Sequence, residues 1–226
     1  MTTRITTETI TYPIPPIVSR EEWQTQRDAL MVKEKAHTRA KDALSAERRR
    51  LPAVMIEKDY RFTSPEGEEV TLLALFNGKR QMIVQHFMFH PDWEKGCPSC
   101  TFSVNQIGNL SPLEEKNVQF ALSSRAPIEK LLAYRDEQGW EFPWYSTGES
   151  GFHRDFGVTV EEDMEIPGYS VFVRDDDDAI YLTYMTGSRG CEPLLPALGF
   201  LDMTIYGRQQ DFEDSPADWP QRPTYG

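Results

Sequence analysis

The sequence predicts an α/β fold: a central mixed sheet flanked by helices, with an N-terminal helical extension and a C-terminal arm. Three observations carry this. An apolar, β-forming run over residues 81–89 leads through a short loop into Cys97-Pro98-Ser99-Cys100 and a helical pattern. A second buried-strand run, Val118-Gln119-Phe120-Ala121-Leu122, precedes an amphipathic helix over 127–136 with Ile128, Leu131 and Leu132 on one side. Two β-rich runs, 169–174 and 179–184, then flank Asp175-Asp176-Asp177-Asp178 as a hairpin flanks its turn.

Taken in order, residues 1–18 form a Thr- and Pro-rich arm, expected to be extended. Ser19, with Glu22 three residues on, opens a capping box. Trp23, Arg27, Leu30, Met31 and Glu34 continue at helical spacing until Leu51-Pro52 stops the pattern. One long or two consecutive helices are expected here, polar enough to pack on a main domain rather than form its centre. The basic end, Arg48-Arg49-Arg50, reads as a solvated helix C-terminus favoured by the macrodipole. The main domain is placed at 54–206, between an extension at 1–53 and an arm at 207–226. It opens with a hairpin turning at Ser64-Pro65-Glu66-Gly67, and a short helix over 73–76 closes at Asn77-Gly78. Residues 140–157 read as an aromatic, glycine-rich loop, and a closing helix is expected over 192–201. The four aspartates lack the alternation and the glycine of a calcium loop, so they are read as a solvated turn tip.

Composition narrows the function classes. A formal charge of −12 argues against nucleic acid or an anionic membrane as the main partner. No apolar stretch approaches the roughly 20 residues that span a bilayer. The N-terminal residues lack the apolar core of a secretory signal, so a cytoplasmic location is expected. With three cysteines in 226 residues, a disulfide framework is not expected. A CxxC in a reducing compartment then reads as redox or metal chemistry.

The predicted order is strand, helix at CxxC, strand, helix, loop, hairpin, helix. It is the thioredoxin order, and Ile166-Pro167-Gly168 stands where that fold carries a proline before the first hairpin strand. The sequence resembles a bacterial family of uncharacterised thioredoxin-like proteins described as predicted dithiol-disulfide oxidoreductases. The matching stretches are HFMFHPDWEKGCPSC (86–100), PWYSTGESGFHRDFGV (143–158), VFVRDDDDAIYLTYMTGSRG (171–190) and LDMTIYGRQ (201–209). The resemblance implies a cis Pro167, with the backbone before it, at Ile166, pairing with a bound substrate chain.

A dithiol needs one activated sulfur, and a helix N-terminus provides it. With Cys97 at N-cap, Pro98 falls at N1, where its missing N–H costs nothing. The amides of Ser99 and Cys100 then face the Cys97 sulfur and lower its pKa from about 8.5 into the roughly 3.5–7.5 range of such sites. Cys97 is therefore the expected nucleophile and Cys100 the resolving thiol. Trp93 would shield the pair, and Trp93, Pro98, Ser99, Ile166 and Pro167 make the expected substrate surface. No cofactor or metal is called for. The partner is expected to be a disulfide- or thiol-containing protein or a small thiol, and the N-terminal helices offer a homodimer contact.

Other residues carry weaker signals. His86 reads as a hydrogen-bonded core histidine or a proton carrier near the dithiol. His90 and Lys95 would tune Cys97, and Glu94 would raise a nearby thiol pKa. Arg154 and Arg189 are expected to pair with Asp155 and Glu192, and Cys191 to pack. Three rivals remain open. A peroxiredoxin-like peroxidase carries threonine where Glu94 stands. A metal module would need a second ligand pair. A redox-sensing or partner-binding domain would keep the fold without turnover.

Overall fold

The structure is a computed structural model that describes residues 12–161 and 164–222; most of the N-terminal arm and the last four residues of the C-terminal arm lie outside them. Two compact units are present: the described residues of Met1–Ala46 with Pro196–Gly226, and Glu47–Leu195.

In the first unit, the expected helical extension is one helix, α1 (Arg20–Arg48), with no buried residue. The Ser19 hydroxyl accepts the Glu22 N–H at 3.1 Å, as the capping box predicts. The closing helix is shorter than the sequence suggests. Residues Ser188–Leu194, with Pro193 inside, form 3-10 turns that belong to the second unit, and the α-helix proper is α6 (Pro196–Leu201) in the first.

The second unit is built on one eight-stranded sheet: β1 (Val54–Met55), β2 (Arg61–Thr63), β3 (Glu69–Thr71), β4 (Gln81–His86), β5 (Val118–Ser124), β6 (Trp144–Ser146), β7 (Gly168–Arg174) and β8 (Ile180–Gly187). Their order across the sheet is β1-β8-β7-β4-β5-β6-β2-β3. β4 runs parallel to β5, pairing Gln81 with Val118 through His86 with Ser123, and antiparallel to β7. Between them come α2 (Pro98–Val104), α3 (Ser111–Glu115), α4 (Ile128–Gln138) and α5 (Phe152–Asp155). A parallel βαβ unit at CxxC, followed by an antiparallel hairpin on the other side of its first strand, is the thioredoxin-like arrangement. The fold read from the sequence is borne out.

Strand alternation separates two apolar clusters. Met82, Val84 and Phe172 belong to one, with Phe62, Leu75, Phe76 and Phe152. Phe120, Leu122 and Tyr169 belong to the other, with Phe87, Leu131, Trp144 and both CxxC cysteines. Burying side chains of this size contributes about 1.5–3 kcal/mol each.

In three further places the structure differs from the sequence reading. The strand expected over 81–89 leaves the ladder after His86; Phe87 N–H still reaches Ser123 O, and Ala126 N–H then takes Phe89 O at 2.9 Å. The loop expected over 140–157 contains β6 and α5, elements of three and four residues that carry no periodic signal. The peptide bond into Pro167 is trans, where the resemblance implies cis.

The aspartate run is a turn tip, as expected. The Asp175 carboxylate accepts the N–H groups of Asp177 and Ala179 at 3.0 and 2.9 Å, and Asp176 pairs with Arg80 at 2.6 Å.

Candidate functional site

The parallel strands β4, β5 and β6 all end at one edge of the sheet. There β4 runs out into the CxxC loop, β5 into Arg125 and β6 into Thr147. In open α/β sheets the carboxyl ends of parallel strands are where ligands and reactive groups collect.

The loop into the dithiol is fixed from several sides. Cys97 N–H donates to Met88 O at 3.0 Å, and Lys130 on α4 donates to Pro91 O and Trp93 O at 2.6 and 2.8 Å. Gly96 lies flat on Phe87: a Cβ there would come within 2.6 Å of the ring, closer than any side chain tolerates. α2 is tied down in turn, by Thr101 to the Tyr134 hydroxyl at 2.9 Å, Ser103 to the Tyr169 hydroxyl at 3.0 Å, and Asn105 to the Trp140 N–H at 2.8 Å.

Cys97 is the N-cap of α2 and Pro98 its N1, the arrangement expected from the sequence. Both cysteines are free thiols, and both are buried, at 8 % and 2 % exposure. Cys100 and its S–H lower the Cys97 pKa most, the Ser99 hydroxyl at 3.0 Å and the Ser99 and Cys100 amides add to this, and burial opposes them. The result is a thiol pulled down to about 5. Cys100 moves the other way, well above its ordinary value. The proton it shares with Cys97 and its burial hold it there, while the Met88 N–H, 3.4 Å from its sulfur, opposes them. One sulfur is poised as thiolate and its neighbour is held protonated.

The carboxylate bearing on this pair is Glu165, not Glu94, which is exposed in the loop. The Glu165 side chain is wholly buried, with Arg125 Nη1 at 3.7 Å. Burial raises its pKa most, Arg125 and the Phe89 backbone lower it, and Cys97 raises it again, to about 7. Sequence reading missed Glu165, because it comes after a segment without periodicity and meets the thiols only through the fold. Lys130 was missed for a related reason: its position on α4 does not reveal the carbonyls its amine reaches.

The other expected site residues differ in exposure. Trp93 is half-buried and packs on the cluster that holds both cysteines. Pro98 and Ser99 are exposed on the first turn of α2, and Ile166 is exposed on the approach to β7. The Ile166 N–H is already donated to Val158 O at 2.8 Å, so it does not stand open to an incoming chain. Cys191 packs half-buried on the same cluster, and burial raises its thiol to about 11.

His86 is a core histidine. Its Nε2 meets the Ser170 hydroxyl at 2.7 Å and its Nδ1 the Ser123 hydroxyl at 3.3 Å, and burial pushes its pKa down to about 3. Ser123 continues to His153 Nε2 at 3.0 Å. Arg189 pairs with Glu192 at 2.8 Å as expected. Asp155 is held chiefly by Lys58 at 2.5 Å and the Tyr60 hydroxyl at 2.8 Å, with Arg154 adding a weaker electrostatic pull. Among the described residues, no three His, Cys, Asp or Glu side chains gather as a metal site, and no helix is long and apolar enough to cross a membrane.

The architecture is that of a thioredoxin-like protein with a CxxC dithiol at the first helix after its central strand. The chain belongs to the family described as "Bacterial protein of unknown function (DUF899)", which it matches over residues 12–225. No curated protein matches it in sequence. Among solved structures, a mutant of peroxiredoxin Q from Xanthomonas campestris is 15% identical, covering 66% of this chain and 98% of its own, with a TM-score of 0.49. A peroxidoxin from Mycobacterium tuberculosis is 15% identical over 67% of this chain and 97% of its own, with a TM-score of 0.47. An uncharacterized thioredoxin-like protein from Porphyromonas gingivalis is 18% identical over 69% and 95%, with a TM-score of 0.42.

Proposed function

We propose that the protein is a thiol-disulfide oxidoreductase of the reducing cytoplasm, with Cys97 as nucleophile and Cys100 as resolving thiol. The observation that supports this most is the seating of the pair at the start of α2: Cys97 is its N-cap with Pro98 at N1 and the Ser99 hydroxyl at 3.0 Å, and Cys100 is buried behind it, an arrangement that draws Cys97 towards thiolate and Cys100 away from it. The Cys97 thiolate attacks one sulfur of a substrate disulfide, forming a mixed disulfide and expelling the other sulfur as a thiolate that takes a proton from water. Cys100 then loses its proton to the Glu165 carboxylate and attacks the Cys97 sulfur. The Cys97–Cys100 disulfide forms and the second substrate thiol leaves. The substrate gains two electrons and the dithiol loses two; the reverse sequence oxidises a substrate dithiol. A pKa of about 7 suits Glu165 to take and return that proton near neutrality.

The substrate class is a disulfide- or thiol-bearing protein or small thiol, received on Trp93, Pro98, Ser99 and the side chains, rather than the backbone, of Ile166 and Pro167. The proposal extends to a homodimer through α1, supported by the exposed apolar side chains Trp23, Leu30 and Leu44.

The test is the reduction potential of the Cys97–Cys100 couple, read by alkylation and mass spectrometry in graded thiol buffers. A defined couple is expected, near about −270 mV for a reductant or about −120 mV for an oxidant. Failure to form this disulfide at any poise would refute the reading.

A further inference from the structure

Beside the dithiol, and sharing none of its cysteines, lies a pocket of about 70 Å³ lined by Arg125, Thr147, Glu149, His153, Arg154 and Thr159, with two glycines of the β6–α5 connection. A single water needs only roughly 10–15 Å³ of such space, so the pocket admits a group of several atoms. Its walls carry an unusual debt. Thr147, His153 and Thr159 are 3 %, 2 % and 5 % exposed, and Thr147 Oγ1, His153 Nδ1 and Thr159 Oγ1 each lack a hydrogen-bond partner. Leaving a buried polar group unpaired costs about 1–3 kcal/mol. Three such groups on one small pocket indicate that the partner comes from outside the chain.

The chemistry of the walls says what that partner is. Two hydroxyls can donate, and two guanidinium groups carry only donors. Arg125 is held between Glu165 at 3.7 Å and Glu149 at 3.8 Å; the Glu149 side chain is 88 % exposed, at the solvent rim rather than the floor. His153 is kept neutral, first by burial and then by His86 and Arg125. Its Nε2 is engaged by Ser123, in a hydrogen-bonded chain running His153, Ser123, His86, Ser170. When Ser170 donates to His86, His86 to Ser123 and Ser123 to His153, the remaining proton sits on His153 Nδ1, an unpartnered donor on a residue of the pocket wall.

We propose that this pocket binds a small oxyanion, the carboxylate or phosphate group of a metabolite, through Thr147, Thr159, His153 Nδ1 and the two arginines. The ligand selects the donor polarity of the buried chain. The pocket's chemistry does not depend on the dithiol reading.

Calorimetric titration of the full chain with acetate and with inorganic phosphate, at constant ionic strength in chloride, tests it. Saturable binding of at least one probe is expected, with a dissociation constant on the order of 1 mM or tighter. Acetate alone marks a carboxylate site and phosphate alone a phosphate site. Thr147→Val and Thr159→Val should each weaken binding about tenfold, while their thermal midpoints hold or rise because an unpaired hydroxyl is gone. On binding, the His153 Nδ1 resonance should take the protonated, neutral-tautomer position in nitrogen NMR. Absence of saturation with both probes, or binding by both valine variants as tight as the parent's, would overturn the proposal and leave a pocket for water. Cys97→Ser, which disables the dithiol, should bind the probe unchanged; loss of binding there would overturn the pocket as a separate site.

Discussion

Arg125 stands between two neighbourhoods that treat buried polar groups in opposite ways. On its Glu165 side, charges act on one another: the carboxylate is buried beside Arg125, its oxygens without a hydrogen-bond partner, its pKa is raised, and the two thiols divide one proton between them. On its pocket side, three buried polar atoms have nothing to act on. The first arrangement tunes groups the chain already owns. The second reserves hydrogen-bonding capacity for something it does not own.

Removing the residue common to both sides breaks the comparison most severely. Arg125→Met should cost about 3–5 kcal/mol above pH 7, because it strands an ionised Glu165. The loss should shrink at pH 5, where Glu165 is neutral, and oxyanion binding should weaken at either pH. Urea unfolding at the two pH values checks this.

Glu165→Gln sharpens the thiol side alone. The folded protein holds the Glu165 proton up to about pH 7, whereas its ordinary value is 4.5. This group therefore favours the folded state below pH 4.5, and that contribution is lost as pH rises towards 7. The variant lacks this falling term, so it should gain stability relative to the parent between those pH values, by at most about 3 kcal/mol. The comparison of unfolding midpoints at pH 5 and pH 7.5 reads it, and an equal difference at both would disprove the assigned titration.

Ser99→Ala makes the smallest change. It removes one hydrogen bond to the Cys97 sulfur while Cys100 and the amides stay. The midpoint of the pH profile for iodoacetamide alkylation should rise from about 5 by no more than about one unit. Acetate and phosphate binding should stay as in the parent.

The parts of this molecule legible in the sequence are those whose cause is local. A cysteine with proline next to it, after an apolar run, announces an N-cap whatever the rest of the chain does. The Asp175–Asp178 turn is equally plain, since β-rich runs bracket it. The membership of the family was legible too, through long stretches of motif. The features that could not be read depend on distant residues. β6 is three residues behind Pro143 and exists because β5 offers it an edge. Asp155, next to Arg154 in sequence, is instead held by Lys58 and Tyr60 from the other end of the domain. Glu165 meets the cysteines only because the segment leading into β7 passes the CxxC loop. Adjacency in the chain is a poor guide to electrostatic partnership once a sheet has brought remote segments together.

The burial of the two sulfurs also bears on the order of events in the proposed exchange. Cys97 presents only a sliver to solvent and Cys100 almost nothing. In the exchange proposed above, a disulfide arriving by diffusion would therefore meet Cys97 first, and Cys100 would be reached only through a bond already made to its neighbour. Steric access alone would then order the bond exchange.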